Sequence, residues 1–255
     1  SSPSGFPISW NLNCLRLKLA SSGSEDLSLA LLEPAIADSM APWNALNCSG
    51  VELIYDGLSD SGNVGFSNDS ANENLIIFQD AMGAWVYQPD ILALTTLTFC
   101  SAAGGLCKYR GQVLDGDIEF NGREAPFSAS EVPLEDHHDF TNTLTHELGH
   151  FIGLDHSLDE ESTMYFSAPL GEIDKRTLAD DDKAGFCTIY EACVAQSECG
   201  FCSPGQDDET DMSPMAPGDD NLAGCACDVK REGNGGPFLL YALFLFGAIF
   251  RLSRR

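Results

Sequence analysis

The alternation of hydrophobic and polar residues predicts a chain rich in β-strands over its first half. From Ile8 to Asn13 apolar residues alternate with polar ones, and Leu15, Leu17 and Leu19 continue this period of two, which is typical of a strand with one buried face. Short apolar and β-branched runs predict four more strands, at residues 51–55, 74–79, 92–99 and 112–121. The predicted strand at 74–79 has a continuous apolar run, so we expect it in the middle of the sheet.

Two segments have the apolar spacing of helices. Residues 25–46 show it, although Pro34 and Pro42 must break, bend or start a helix there. Trp43 is expected to anchor this helix to the sheet or, in the interpretation we prefer, simply to pack in the core. The second helix is predicted from about Asp139 to Ile152, with its first residue as the N-cap. Strands and helices in this order predict a mixed α/β fold.

Composition narrows the class of protein. The chain has 255 residues, of which 39 are acidic and 13 basic, and its net charge of −26 argues against nucleic acid and against adsorption to anionic lipid. Ten cysteines without zinc-ribbon spacing indicate disulfides and an oxidising compartment. Because the sequence begins Ser-Ser-Pro, we expect that an export signal has been removed.

One stretch of the second predicted helix has the spacing of a metal site, His-Glu-Leu-Gly-His-Phe-Ile-Gly-Leu-Asp-His from residue 146. His146 and His150 are four residues apart and share one helix face, while Glu147 projects from the neighbouring face. Gly153 allows a positive φ, with which the chain can turn and return His156 as a third ligand. Three neutral nitrogens and one open position suit a catalytic zinc ion.

The full spacing H-E-x-x-H-x-x-G-x-x-H resembles that of the metzincin metallopeptidases, and the surrounding motifs resemble the matrixin branch. Those motifs are 139–145 before the histidines, His156-Ser157, Met164-Tyr165, and Leu178-x-x-Asp181-Asp182-x-x-Gly185-Phe186. The similarity runs over about residues 8–190 and is strongest from Gln112 onward. It implies a metzincin catalytic domain at residues 1–190, with a mixed five-stranded sheet, an active-site helix and a C-terminal helix.

The resemblance also implies the role of each site residue. His146, His150 and His156 would bind one catalytic zinc ion, and Glu147 would be general base and then general acid in the hydrolysis of a protein or peptide substrate. Met164 would pack beneath the metal without binding it.

Three further features follow from the resemblance. Asp181 and Asp182 would either brace the floor of the site or be ordinary acids at a helix start. A substrate would add as an extended strand to the sheet edge formed by residues 94–99. Phe166 stands where many matrixins have proline, which changes the wall of the specificity pocket.

Other candidate metal ligands lie outside the motif. Asp115, Asp117 and Glu119 resemble the acidic strand by which many relatives bind structural calcium, so we expect Ca²⁺ there as an option; a second zinc is not supported, because its histidine is missing. The spacing of His137 and His138 to His146 is not a ligand pattern, and both are expected to be solvent-exposed loop residues.

Cysteines set part of the expected architecture. Pairs of Cys14 with Cys48 and of Cys100 with Cys107 are plausible, and four others, Cys187, Cys193, Cys199 and Cys202, could form a two-disulfide knot. The Cys-Gly-Phe-Cys pair at 199–202 has an alternative interpretation as a redox or zinc pair.

The C-terminal part of the chain differs in composition. Residues 191–234 have ten acidic and two basic residues and few large apolar ones, so they predict a linker. Residues 235–255 hold an apolar run and three arginines, which predict a helix too short for a usual bilayer span. With Gly224-Cys225 upstream, this layout resembles the tripartite sorting signals of myxobacterial exported proteins, which implies cleavage near Cys225 and attachment to the cell surface or release.

The leading hypothesis is therefore an exported zinc-dependent endopeptidase of bacterial origin. We expect it to be secreted or attached to the cell surface, to work as a monomer, and to contact the membrane only through its C-terminal tail. A second hypothesis is a catalytically silent metzincin-fold module for surface binding or adhesion. The intact Glu147 argues against it, because a silent relative has no need of that base. A disulfide-rich adhesin with incidental histidines is the third, and it predicts no bound metal.

Overall fold

The computed structural model describes residues 5–68 and 72–190, together with the backbone of one short strand at 242–246. The strands are β1 (Ser9–Trp10), β2 (Cys14–Ala20), β3 (Glu52–Ser59), β4 (Leu75–Phe78), β5 (Ala93–Phe99), β6 (Gln112–Phe120), β7 (Phe127–Ser128), β8 (His138–Asp139) and β9 (Ala242–Phe246). The α-helices are α1 (Leu29–Asn44), α2 (Phe140–Phe151) and α3 (Asp180–Tyr190), and a 3₁₀ turn spans Asp174–Arg176.

One mixed sheet forms the body of the fold. Its strand order is β3-β2-β4-β6-β5-β9, and β1 pairs with one end of β6. Strands β2, β3, β4 and β6 are parallel, whereas β5 runs antiparallel to β6. The predicted mixed α/β fold is confirmed, and β4, the continuously apolar strand, is central between β2 and β6. The opening segment divides into β1 and β2, and β9 brings the described sheet to seven strands.

Aromatic residues join helix α2 to the sheet. Phe140, the first residue of α2, packs on Phe120 of β6 and Phe78 of β4, with ring centroids 5.0 and 5.7 Å away. At the other end of α2, Phe151 packs on Trp10 of β1 at 4.9 Å, and the Trp10 indole N–H donates to the Phe151 carbonyl. Both ends of α2 are therefore fixed to the sheet by large buried contacts.

Helix α1 runs without a break through both of its prolines, Pro34 and Pro42. The indole N–H of Trp43 donates to the Thr145 carbonyl of α2 at 3.0 Å. Trp43 is buried in the hydrophobic core, as predicted, and this bond joins α1 to α2.

The described disulfides close one short loop and link two segments that are distant in sequence. Cys100 pairs with Cys107, as predicted. Cys48 pairs with Cys187 and not with Cys14, so the predicted Cys14–Cys48 pair and the place of Cys187 in a C-terminal knot are wrong. The physical reason is that α1 and α3 pack together, with the Trp43 and Phe186 rings 6.2 Å apart, which brings these two cysteines into reach. Cys14 is disulfide-bonded as well.

The C-terminal segment contributes strand β9, which pairs antiparallel with β5 from Thr95 to Phe99. A helix was predicted at 235–255, and at residues 242–246 the structure has a strand instead. An edge strand offers unpaired N–H and C=O groups, and an apolar segment can satisfy its own backbone by pairing there. In the part of the chain that the structure describes, no helix is long and apolar enough to span a membrane. The linker at 191–234, the Gly-Cys motif and the 199–202 pair lie outside the described residues.

Candidate metal centre

At the start of helix α2, the carboxylate of the N-cap residue accepts hydrogen bonds from two kinds of donor. The Asp139 carboxylate accepts from the Asn142 backbone N–H at 2.7 Å, as predicted for the first residue of this segment. It also accepts from the Arg176 guanidinium, with Nε 2.8 Å from Oδ1. Because Asp139 is buried, these charge-assisted bonds fix where the helix begins and so where His146 and His150 lie.

The turn after α2 returns the third histidine to the helix. Gly153 adopts φ +98, as predicted for a glycine that ends the helix, and Leu154 N–H donates to the Gly149 carbonyl. Ligand nitrogens of His146, His150 and His156 all lie within 4.8 Å of one another. The Nε2 atoms of His150 and His156 are 3.2 Å apart. Two nitrogens bound to one tetrahedral zinc ion at about 2.0–2.1 Å would be about 3.3 Å apart, so the residues present fit this ion.

Backbone carbonyls set the tautomer of two of the rings. His146 Nδ1 lies 2.7 Å from the Thr163 carbonyl oxygen, and His150 Nδ1 lies 3.0 Å from that of Leu154. Since a carbonyl can only accept, Nδ1 is the protonated atom in each ring and the lone pair lies on Nε2. A hydrogen bond from the other ring nitrogen to a carbonyl is what orients metal-binding histidines.

Burial keeps the imidazoles neutral. It lowers the pKa of His146 well below its ordinary value and that of His150 to about 3, and the pKa of His156 is also lowered by burial. Neutral imidazole is the form that binds a metal ion, so the cluster needs no proton release at neutral pH.

Glu147 lies fully buried next to these ligands. Its Oε2 accepts from the Thr95 hydroxyl of β5 at 2.6 Å, whereas Oε1 has no hydrogen-bond partner among the described residues. Burial raises the pKa of Glu147 to about 8, and hydrogen bonding with Thr95 opposes part of this rise. A buried carboxylate oxygen without a protein partner is suited to accept a proton from a water molecule.

The floor of the site is a turn that contains Met164, which is buried. Asp182 of α3 accepts from the backbone N–H groups of Thr163 and Met164 at 2.8 and 3.0 Å. It is itself buried, whereas Asp181 is exposed and accepts from the Ser157 hydroxyl. The structure therefore supports the interpretation that Asp182 braces the floor of the site. Asp182 holds the turn at Thr163 and Met164, and the Thr163 carbonyl orients His146.

The two remaining histidines are not part of this cluster. His137 lies half-buried in a turn, and its Nδ1 is 2.7 Å from a carboxylate oxygen of Asp136. The expectation that His138 is exposed is wrong, because His138 lies in β8, where its ring packs 6.2 Å from that of Phe127. Burial lowers the pKa of His138 to about 4.

The three acids of β6 share one face of that strand and are buried. Asp117 accepts from the backbone N–H groups of Gly65 and Leu75. Both carboxylate oxygens of Asp115 lack a hydrogen-bond partner in residues 5–68 and 72–190. Burial, with the charge of Asp117, raises the pKa of Asp115 to about 7. Glu119 has its own partners in Gln79 and Tyr87.

The predicted substrate edge is strand β5, whose inner neighbour is β6 and whose outer neighbour is β9. Thr95 of this strand touches Glu147, so the edge lies beside the metal centre. Phe166, the residue in the place of the usual proline, has its ring 6.3 Å from that of His156.

Sequence reasoning missed Thr95 and Thr163, which contact the site from a strand and from a loop. Thr163 could have been inferred from its place before the Met164 turn. Thr95 had no local signal, because only the order of strands in the sheet brings it to Glu147.

Comparison with known proteins agrees with the geometry. Residues 100–191, which contain the whole metal centre, match the family model described as Matrixin. A relative described as probable matrix metalloproteinase 095L, from Invertebrate iridescent virus 3, is 33% identical over 88 residues. That match covers 34% of this chain and 23% of the relative. The chain is therefore similar to matrixins over the segment that carries the metal centre.

Proposed function

We propose that this chain is an exported zinc-dependent endopeptidase of the matrixin type. The observation that supports it is the juxtaposition of three neutral imidazoles, whose ligand nitrogens lie within 4.8 Å of one another, with a buried carboxylate that keeps one oxygen unbonded among the described residues. A catalytically silent binding module would not need such a carboxylate, so the residues of the site favour an enzyme.

His146, His150 and His156 would hold one zinc ion, and Glu147 would act on protons. The bound ion would polarise the peptide carbonyl, acidify a water molecule and favour ionised Glu147 by its charge. Glu147 Oε1 would accept a proton from a water molecule as the water oxygen attacks the carbonyl carbon. Glu147 would then give the proton to the amine nitrogen as the C–N bond breaks, which would leave a carboxylic acid and an amine.

Substrate binding would use the edge of β5. An extended peptide can pair with the backbone of residues 95–99, which β9 pairs with in this structure. A peptide can therefore bind in this way only after β9 has left. Cleavage of the tail near Cys225, expected from its resemblance to a sorting signal, would remove β9 and leave a secreted or surface-attached monomer. In the precursor the tail alone would meet the membrane.

A structural calcium ion would lie at the acidic face of β6. Asp115 supports it most strongly, because a buried carboxylate without a partner is costly unless a cation or a proton neutralises it. Calcium should therefore raise the melting temperature of wild type and have a much smaller effect on Asp115→Asn.

The test of the function compares wild type with Glu147→Ala for zinc content and for hydrolysis of a casein substrate. One zinc per chain in both proteins, with hydrolysis lost in the variant, is the expected result. Zinc in both with no hydrolysis in either would favour the binding module, and no zinc in wild type would refute the metal centre.

A further inference from the structure

Thr95 makes a contact with Glu147 that its neighbours on the same strand do not make. Its Oγ1 lies 2.6 Å from Glu147 Oε2 and 3.1 Å from the Glu147 carbonyl oxygen, and the residue is fully buried. The hydroxyls of Thr96 and Thr98 have no hydrogen-bond partner within the described ranges. A threonine-rich strand thus aims one hydroxyl at one carboxylate oxygen.

The hydroxyl has one hydrogen, so it can donate to only one of these two oxygens at a time. Oε2 is the closer acceptor and it carries charge when Glu147 is ionised, and charge-assisted bonds are shorter and stronger than neutral ones. The hydrogen therefore points to Oε2 in the ionised state. Oε1 is left as the oxygen that can receive a proton.

We propose that Thr95 is a positioning residue, which orients the Glu147 carboxylate for proton transfer; this rests on the proposed peptidase function. The last torsion of a glutamate is broad and roughly two-fold, so packing alone leaves the carboxylate free to rotate. The Thr95 bond selects one orientation. After Oε1 has taken a proton, Oε2 is still an acceptor, so the same bond persists until the proton is delivered.

A valine at this position keeps the shape of the side chain and removes the donor. The carboxylate then rotates, and Oε2 is left buried without its partner. Chemistry is affected and substrate affinity is not, because Thr95 reaches the reaction through its side chain, whereas a peptide pairs with backbone. Serine keeps the hydroxyl, so it restores the function.

The test uses the full zinc-loaded chain and four proteins: wild type, Thr95→Val, Thr95→Ser and Thr143→Val. Thr143 is the matched control, because it is also buried and its hydroxyl donates to the Asp139 carbonyl at 2.9 Å and not to Glu147. Zinc content, kcat and KM on a fluorogenic peptide are measured for each. A crystal structure of zinc-loaded wild type supplies the Thr95 Oγ1 to Glu147 Oε2 distance independently of activity.

The expected result for Thr95→Val is one zinc per chain, a kcat lower by about 10- to 100-fold and a KM within about twofold, since a general base contributes roughly 10²–10⁴. Thr95→Ser and Thr143→Val should remain within about threefold of wild type in kcat. A wild-type kcat in Thr95→Val, an equal loss in Thr143→Val, or no rescue by serine would overturn the proposal while leaving the peptidase intact. If wild type hydrolyses nothing, the proposed function fails. Whether or not wild type is active, a Thr95 Oγ1 to Glu147 Oε2 separation beyond hydrogen-bond distance in the crystal structure overturns the positioning role.

Discussion

The backbone of Gly153 lies against the carbonyl of Ile8: a Cβ built on the glycine would be 2.4 Å from the Ile8 oxygen. Gly153 also has φ +98, where an L side chain is strained. In the turn that returns His156 to the metal centre, any residue other than glycine would therefore be strained.

We expect Gly153→Ala to lower the free energy of unfolding by about 2–4 kcal/mol, because backbone strain and a clash with a backbone atom add. Urea denaturation measures it. Gly57→Ala is the control for strain alone, since Gly57 has φ +81 and nothing within 4 Å of a built Cβ. That variant should lose only about 1–2 kcal/mol. Equal losses in the two variants would show that the contact with Ile8 is unimportant.

Asp182 and Asp181 are adjacent acids with different surroundings, which gives a matched pair of variants. Asp182→Asn replaces an acceptor oxygen with a donor where backbone N–H groups converge, so we expect a loss of about 2–4 kcal/mol in unfolding free energy. Zinc affinity should fall too, because the turn that orients His146 loses its brace. Asp181→Asn should stay within about 0.5 kcal/mol of wild type, as surface substitutions do. Calorimetry and zinc titration distinguish the two variants. An Asp182→Asn variant with the stability and zinc affinity of wild type would contradict the brace.

The pH dependence of stability should reveal Asp115. Its pKa rises from 3.8 to about 7 in the folded chain, so the folded state holds more protons than the unfolded state between these values. The contribution of Asp115 to the stability of the calcium-free protein therefore falls as the pH rises from about 4 to 7. Asp115→Asn should remove this contribution, so the stability of the variant relative to wild type should rise over that range, measured by thermal denaturation in a chelator at several pH values. Parallel curves for wild type and variant would contradict the buried, unpartnered carboxylate.

Removal of β9 should expose the edge of β5. A chain that ends at residue 234 lacks the segment that pairs with Thr95–Phe99, so a peptide no longer competes with it. We expect kcat/KM on a peptide to rise, with zinc content unchanged. The full chain incubated with the same peptide is the reference, and equal kcat/KM in both would contradict occupation of the edge by the tail.

Local geometry made much of the metal centre predictable. The spacing of His146 and His150 on one helix face, the N-cap at Asp139 and the positive φ of Gly153 all depend on residues close in sequence. The structure brings the three predicted histidines together, and their roles as ligands stay predictions. Alternating or short apolar runs likewise predicted five of the strands, because each of these strands buries side chains of its own.

Features that depend on distant contacts could not be predicted in this way. The Cys48–Cys187 disulfide joins residues 139 positions apart, and nothing near either cysteine specifies the other. His138 looks like a loop residue until β7 pairs with β8 and buries it. Thr95 belongs to the site only because β5 lies beside α2. Strand β9 pairs with an edge that the hydrophobic pattern of residues 235–255 does not reveal.

The central claim is that His146, His150 and His156 hold a zinc ion with one position open. X-ray absorption at the zinc edge, on the full chain loaded with one equivalent of zinc, tests it most directly. We predict four nitrogen or oxygen ligands at about 2.0–2.1 Å, with the multiple-scattering pattern of three imidazoles. His156→Ala should lose one imidazole. Sulfur ligands at about 2.3 Å would contradict the account, because they would place the metal on cysteines and not on the histidine cluster.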